Sequence, residues 1–187
     1  FRSHHFVSYT RRNNEFTSMN AVVPANPATG RFNPIRAHTA DKTADGAFWC
    51  FSENGAFFKF FPAGDRTELL GVNWGRAGYY TANMCQSPKK RYIYYMPCIG
   101  NTARDIGTPV VQYDTATGKK KVLAFLHAYY LKKYGYHAGG PYGLEMDDKG
   151  ESLFFYVNGG FPTGNDLPSG SRPAMFHLRI PASERIE

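Results

Sequence analysis

The chain of 187 residues holds six histidines and thirteen tyrosines, the side chains best suited to move protons or to stack on a ligand, and their spacing limits what they can do. The histidines are His4, His5, His38, His127, His137 and His177, and no two stand four apart as a helical metal pair would. His4 and His5 are adjacent and point to opposite faces of any strand, so at most one can join a site. His127 and His137 bracket the start of the segment HAYYLKKYGYHAGGPYG. There Tyr129, Tyr130, Tyr134 and Tyr136 offer flat stacking faces with polar tips, Lys132 and Lys133 offer mobile positive charge, and the glycines allow close backbone approach. That combination suits a sugar, an anionic saccharide or an extended peptide. The same residues also fit a short amphipathic helix over 128–134 whose tyrosines plug a structural boundary.

Two catalytic chemistries can be drawn from these residues. In a polysaccharide lyase a Tyr or His acts as base and acid while a cation neutralises the uronate carboxylate, and His127, His137, Tyr136, Tyr142 and Arg104 supply the types. A lactonase or metal-dependent hydrolase instead wants oxygen ligands around a divalent ion such as calcium, for which Glu145, Asn83, Asn158 and Asp147 are available. Glu145 and Asn83 each precede a methionine, Met146 or Met84, closely enough to suggest equivalent positions in a repeat. The sequence has no HExxH, phosphate loop, nucleophile elbow or RNA-binding signature. Its cysteines, Cys50, Cys85 and Cys98, form no CxxC or CxxCH for zinc or covalent haem, and a single Cys85–Cys98 disulfide is open if the two flank a paired strand.

The elements that must position these residues are strands. Aromatic content of 16%, with 19 Gly and 12 Pro, favours pleated half-buried surfaces punctuated by turns. No apolar run approaches the length of a membrane-spanning helix. The chain opens at Phe1 with no initiator methionine or signal peptide, so a processed or partial chain is expected. Strands are expected over 37–43, 47–51, 56–61 and 66–72, then over 81–86, 91–96, 108–113 and 119–126, then over 142–147, 151–157 and 174–180. These make consecutive antiparallel meanders at 37–72, 80–126 and 142–180, the last lacking its fourth strand. Residues 1–36 read as an irregular segment with one strand at His5–Thr10, which could complete the last meander. Phe48, Trp49, Phe57, Tyr94, Phe125, Leu144 and Phe155 are expected in or near the cores between blades.

Four-stranded meanders recurring at about forty to sixty residues are how β-propeller blades appear in sequence. A β-sandwich of similar hairpins is the competing architecture. The phrases GTPVVQYDTATGKKKVLAFL, YGLEMDDKGESLFFYVNGG and PAMFHLRIPASERIE resemble the blades of bacterial extracytoplasmic propellers of the broad TolB-like, YVTN-like and gluconolactonase-like kind. The resemblance implies an all-β propeller fold over residues 37–180 and a periplasmic or secreted setting. A propeller has four to eight blades and this chain supplies about three, so it implies a larger propeller or closure by other chains. A net charge of +7 points to an acidic partner, although the basic residues are spread along the chain. Only 129–136 interleaves them with aromatics, which argues against nucleic acid. The reading is a binding or scaffold module presenting a Tyr, Lys and His-rich loop face to a protein or an acidic polysaccharide, with the two enzyme chemistries as alternatives.

Overall fold

The computed structural model describes residues 4–97, 106–161 and 172–185. They form thirteen antiparallel strands in four sheets, one nine-residue helix and one short 3-10 turn. The chain divides into two compact units, Phe1–Tyr80 and Thr81–Glu187.

The first unit begins with the hairpin β1 (His5–Thr10) and β2 (Glu15–Val22), followed by a four-stranded meander of β3 (Ile35–His38), β4 (Phe48–Ser52), β5 (Ala56–Phe61) and β6 (Arg66–Val72), paired in chain order. Cys50 stands opposite Phe58 and Phe51 opposite Phe57, so the two faces of β4 and β5 are both apolar. Phe51, Phe57 and Phe58 are at most 1% exposed. A strand covered on both sides has no use for polar alternation, which is why FWCFS and AFFKFF run almost without a break. Trp49 stacks on Phe57, and Lys59 sits opposite Trp49 with its ammonium 4.7 Å from the indole ring.

In the second unit β7 (Met84–Gln86), β8 (Tyr92–Tyr95), β9 (Pro109–Asp114) and β10 (Lys120–Phe125) form another meander. After the helix α1 (Leu126–Tyr134), strands β11 (His137–Met146), β12 (Ser152–Gly160) and β13 (Ala174–Arg179) form a three-stranded sheet. Every residue of β8 is buried, whereas β10 begins with exposed lysines that discourage pairing along a sheet edge. A core of Tyr94, Met96, Val110, Leu144, Leu153, Phe155, Phe176 and Ile180 joins the two sheets. The chain is all-β and built as propeller blades.

Several local expectations change. β1 pairs with β2 rather than completing the last blade, because residues 15–22 form a strand that the sequence reading took as irregular. Phe125 is 53% exposed, not in the core. A bulge between Val122 and Ala124 breaks the alternation of β10 just before it, and its ring instead lies over Gly107, where a Cβ would come within 2.9 Å.

The repeat is real, but its phase is set by a turn and not by the methionines. Thr43, Ser87 and Asp147 each accept through their carbonyl from the N–H three residues on, at Gly46, Lys90 and Gly150. Those three residues all have positive φ, 80°, 64° and 69°. The side-chain oxygens of Thr43, Ser87 and Asp147 each take a further backbone N–H, from Ala47, Tyr92 and Glu151. Ser87 is therefore equivalent to Asp147, and counting back makes Met84 equivalent to Leu144 rather than to Met146. The register agrees: Met84 faces Tyr95 and Leu144 faces Phe155, while Met146 faces Leu153. Glu145 is thus equivalent to Cys85, and its supposed equivalence with Asn83 is overturned.

Candidate functional site

Antiparallel meanders separate their connections by end. In the second unit the short turns 87–91, 114–119 and 147–151 lie at one end, and helix α1, which joins β10 to β11, lies at the other. Its start carries no side-chain cap, and it stops at Gly135, which adopts φ 64° and returns its N–H to the Leu131 carbonyl. Lys132 and Lys133 lie in the last turn, where positive charge complements the helix dipole.

The helix is pinned to the core by its first turns and exposes most of its remaining side chains. Leu126 is buried, and the Tyr130 ring packs on Phe176 with centroids 4.0 Å apart. Burial raises the Tyr130 phenol above its usual range. Tyr129 and Tyr134 are each 53% exposed, and Lys132 and Lys133 are exposed beside them. The Lys133 ammonium donates to the Tyr129 hydroxyl at 3.0 Å and lies 5.1 Å from the Tyr134 ring centre, contacts that hold its pKa above the ordinary lysine value.

Tyr136 belongs to the interior instead. It is 5% exposed, and its hydroxyl donates to the Arg172 carbonyl at 2.8 Å. Burial raises its pKa, the wrong direction for a general base. A Cβ on Gly159 would fall 2.6 Å from that hydroxyl and 2.1 Å from the His137 carbonyl, so only glycine allows β12 to pass here.

The two histidines of the segment do come together. Their ring centroids are 5.3 Å apart, with the His127 Nδ1 3.3 Å from the Ala138 carbonyl oxygen, which also accepts from the Thr108 hydroxyl at 3.0 Å. Tyr142 is 60% exposed farther along β11. Arg104 lies outside the described residues, as does Cys98; Cys50 and Cys85 are free thiols.

The oxygen ligands considered for a metal do not converge. Asp147 follows β11 at the short-turn end, while Asn158 lies near the other end of β12, beside Gly139. At about 3.3 Å per residue the hairpin separates them by roughly 20 Å. Asp147 is occupied as a turn residue: desolvation works against its charge, but N–H groups of Glu151 and Ser152 outweigh that and hold the carboxyl below its usual range. Glu145 is exposed opposite Phe154, near enough to Cys85 that, after burial, its charge is the second cause raising that thiol. Asn83 is half-buried before β7, its side-chain nitrogen without a hydrogen-bond partner. Among the described residues no group of three His, Cys, Asp or Glu is placed to hold a metal ion.

The anchor residue Phe176 was missed as part of this end. The alternation in AMFHLR, with Phe176 and Leu178 on one face, is the signal that could have found it.

No protein-family model and no curated protein matches the chain. Solved structures do. Hydrazine synthase from Kuenenia stuttgartiensis matches 94% of this chain at 14% identity and a TM-score of 0.54. A protein from Lactobacillus plantarum matches 87% at 14% identity and 0.51, and the extracellular domain of a one component system from B. thetaiotaomicron matches 89% at 15% identity and 0.50. The likeness is one of β-propeller fold. The chain spans 40%, 48% and 19% of those three chains, less than half of each.

Proposed function

We propose that this chain is part of a β-propeller binding module whose α1 surface takes an anionic glycan, in an extracytoplasmic setting such as that of the extracellular domain it resembles. One observation carries the reading. Tyr129, Lys132, Lys133 and Tyr134 are all exposed on a helix that Leu126 and Tyr130 fix to the core, with the Tyr134 ring stacked on Tyr130 at 5.8 Å. Two exposed rings beside two ammonium groups match a sugar face and its carboxylate, and a pinned helix loses little freedom on binding.

Calorimetric titration with polygalacturonate tests this. Replacing Tyr129 and Tyr134 together with Ala should weaken binding by about tenfold or more, and replacing Lys132 with Ala should flatten its salt dependence. Unchanged affinity in the double tyrosine variant would remove α1 as the site.

The His127–His137 pair favours a second reading, a polysaccharide lyase in which His137 takes the proton next to the uronate carboxylate. Under it, polygalacturonate incubated with the protein gains unsaturated chain ends, and His137→Ala stops their release while leaving binding nearly intact. Tyr136 has no part as base in this reading, since its hydroxyl is buried and committed to Arg172.

A further inference from the structure

The two four-stranded sheets reach their outermost strand by a short turn from the third: residues 61–66 lead from β5 to β6 and residues 114–120 from β9 to β10. In the third sheet the corresponding strand would have to follow β13, and the chain does something else. Ile180 returns its N–H to the Glu151 carbonyl at 2.8 Å, Pro181 follows, and residues Ala182–Glu184 form a 3-10 turn. The Glu184 carbonyl then accepts from the Gln112 amide at 2.7 Å, its carboxylate pairs with Lys121, and Arg185 pairs with Glu151 at 2.8 Å. These bonds carry the chain back toward β9, β10 and the start of β12, so no hairpin can add a fourth strand directly after β13.

Among the described residues β13 pairs with β12 alone. The N–H groups of Arg172 and Ile180 both point at the β12 side, bonding Gly159 and Glu151. Stepping by two, Ala174, Phe176 and Leu178 turn their backbone groups toward β12, and Met175, His177 and Arg179 turn theirs to the outer edge. The side chains divide in the same way: Phe176 is 6% exposed in the core, while Met175 is 62% exposed and His177 stacks on the exposed Phe154 at 4.9 Å. An outer edge of this kind is a template for another strand.

We propose that the outer edge of β13 is a strand-addition site for an extended segment of a partner protein, with apolar residues alongside Phe176 and Leu178 and acidic residues alongside His177 and Arg179. Main-chain hydrogen bonds to Met175, His177 and Arg179 hold the segment, and the alternating side chains select it. Charge decides between partners. A second copy offering β1, which begins with His5 and runs into Arg11 and Arg12, would set like charge beside Arg179. A segment with alternate acidic residues complements it. Strand addition at this edge does not depend on glycan binding at α1.

The test uses the whole chain and a fluorescein-labelled peptide of alternating Val and Glu, followed by fluorescence anisotropy. Binding is expected, and of the two forms of the peptide methylated at alternate backbone nitrogens one should lose it and the other keep it. Met175→Pro removes an outward N–H without touching the β12 ladder and should lower affinity by about tenfold or more. Hydrogen exchange on the unaltered protein gives an arm that survives if that variant fails to fold: the amides of Met175, His177 and Arg179 should slow when peptide is present, and those of Phe176 and Leu178 should change little. Absent binding, equal binding of both methylated forms, or unaltered exchange at the three outward amides would overturn the proposal. So would a dimer in sedimentation that Met175→Pro dissolves, since the edge would then belong to a second copy.

Discussion

The Tyr136 hydroxyl donates to the Arg172 carbonyl at 2.8 Å while its ring stands edge-on to Phe176, so the chain just past the end of helix α1 is tied to the approach of β13 from two directions. Tyr136→Phe should therefore cost about 1 kcal/mol, a lowering of about 2–4 °C in a thermal unfolding scan, and leave polygalacturonate affinity unchanged. Tyr136→Ala should cost about 3–5 kcal/mol. If Tyr136→Phe weakened binding at unaltered stability, the residue would be a contact and not an anchor.

Acid should destabilise the second unit through Asp114. Its carboxylate takes both the Nε and the Nη2 of Arg91 at 2.8 Å, and that pairing holds its pKa well below the ordinary 3.8. With the folded value depressed, the unfolded chain takes up the proton first, so the contribution is present above about pH 4–5 and is lost as pH falls below that. Urea unfolding followed against pH should show Asp114→Asn less stable by about 1 kcal/mol near neutrality and converging with the parent at low pH. Parallel curves at every pH would mean the pair contributes nothing.

The shared turn makes opposite predictions for two equivalent residues. Lys90 holds φ 64° with a side chain, so Lys90→Gly should raise stability by up to about 1 kcal/mol. Gly150 holds φ 69°, and a Cβ there would meet Pro88 at 2.8 Å, so Gly150→Ala should lower it by about 1–2 kcal/mol or more. Chemical denaturation of the two variants side by side would show whether the turns are as alike as their hydrogen bonds.

Cys50 lines the floor of β4 at 2% exposure, and burial pushes its thiol up to about 12. Iodoacetamide at mildly alkaline pH should leave it unmodified in the folded protein and alkylate it once urea is added, as read by mass spectrometry of the peptide that carries it. Fast labelling without denaturant would show that β4 opens readily.

The sequence by itself determined the class of fold. Runs such as AFFKFF and RYIYYM, bounded by polar turns, can only be strands covered on both sides, because a helix of that composition would leave aromatics on every face and a one-sided sheet would need polar alternation. A short helix over 128–134 was one of two readings of the Tyr and Lys segment, and the structure forms it as Leu126–Tyr134. Phase and partnership were decided by tertiary structure. Thr43, Ser87 and Asp147 serve the same turn with three different side chains, so identity concealed the repeat while the coincidence of Met84 and Met146 suggested a false one. Nothing local distinguishes Tyr136 from Tyr134; one is buried and the other exposed because Phe176 and the Arg172 carbonyl arrive from some forty residues away to meet the first. Strand pairing in the first unit is local for β1, which turns back through residues 11–14 to pair with β2, whereas its packing through Phe6 on Phe60 joins residues distant in sequence.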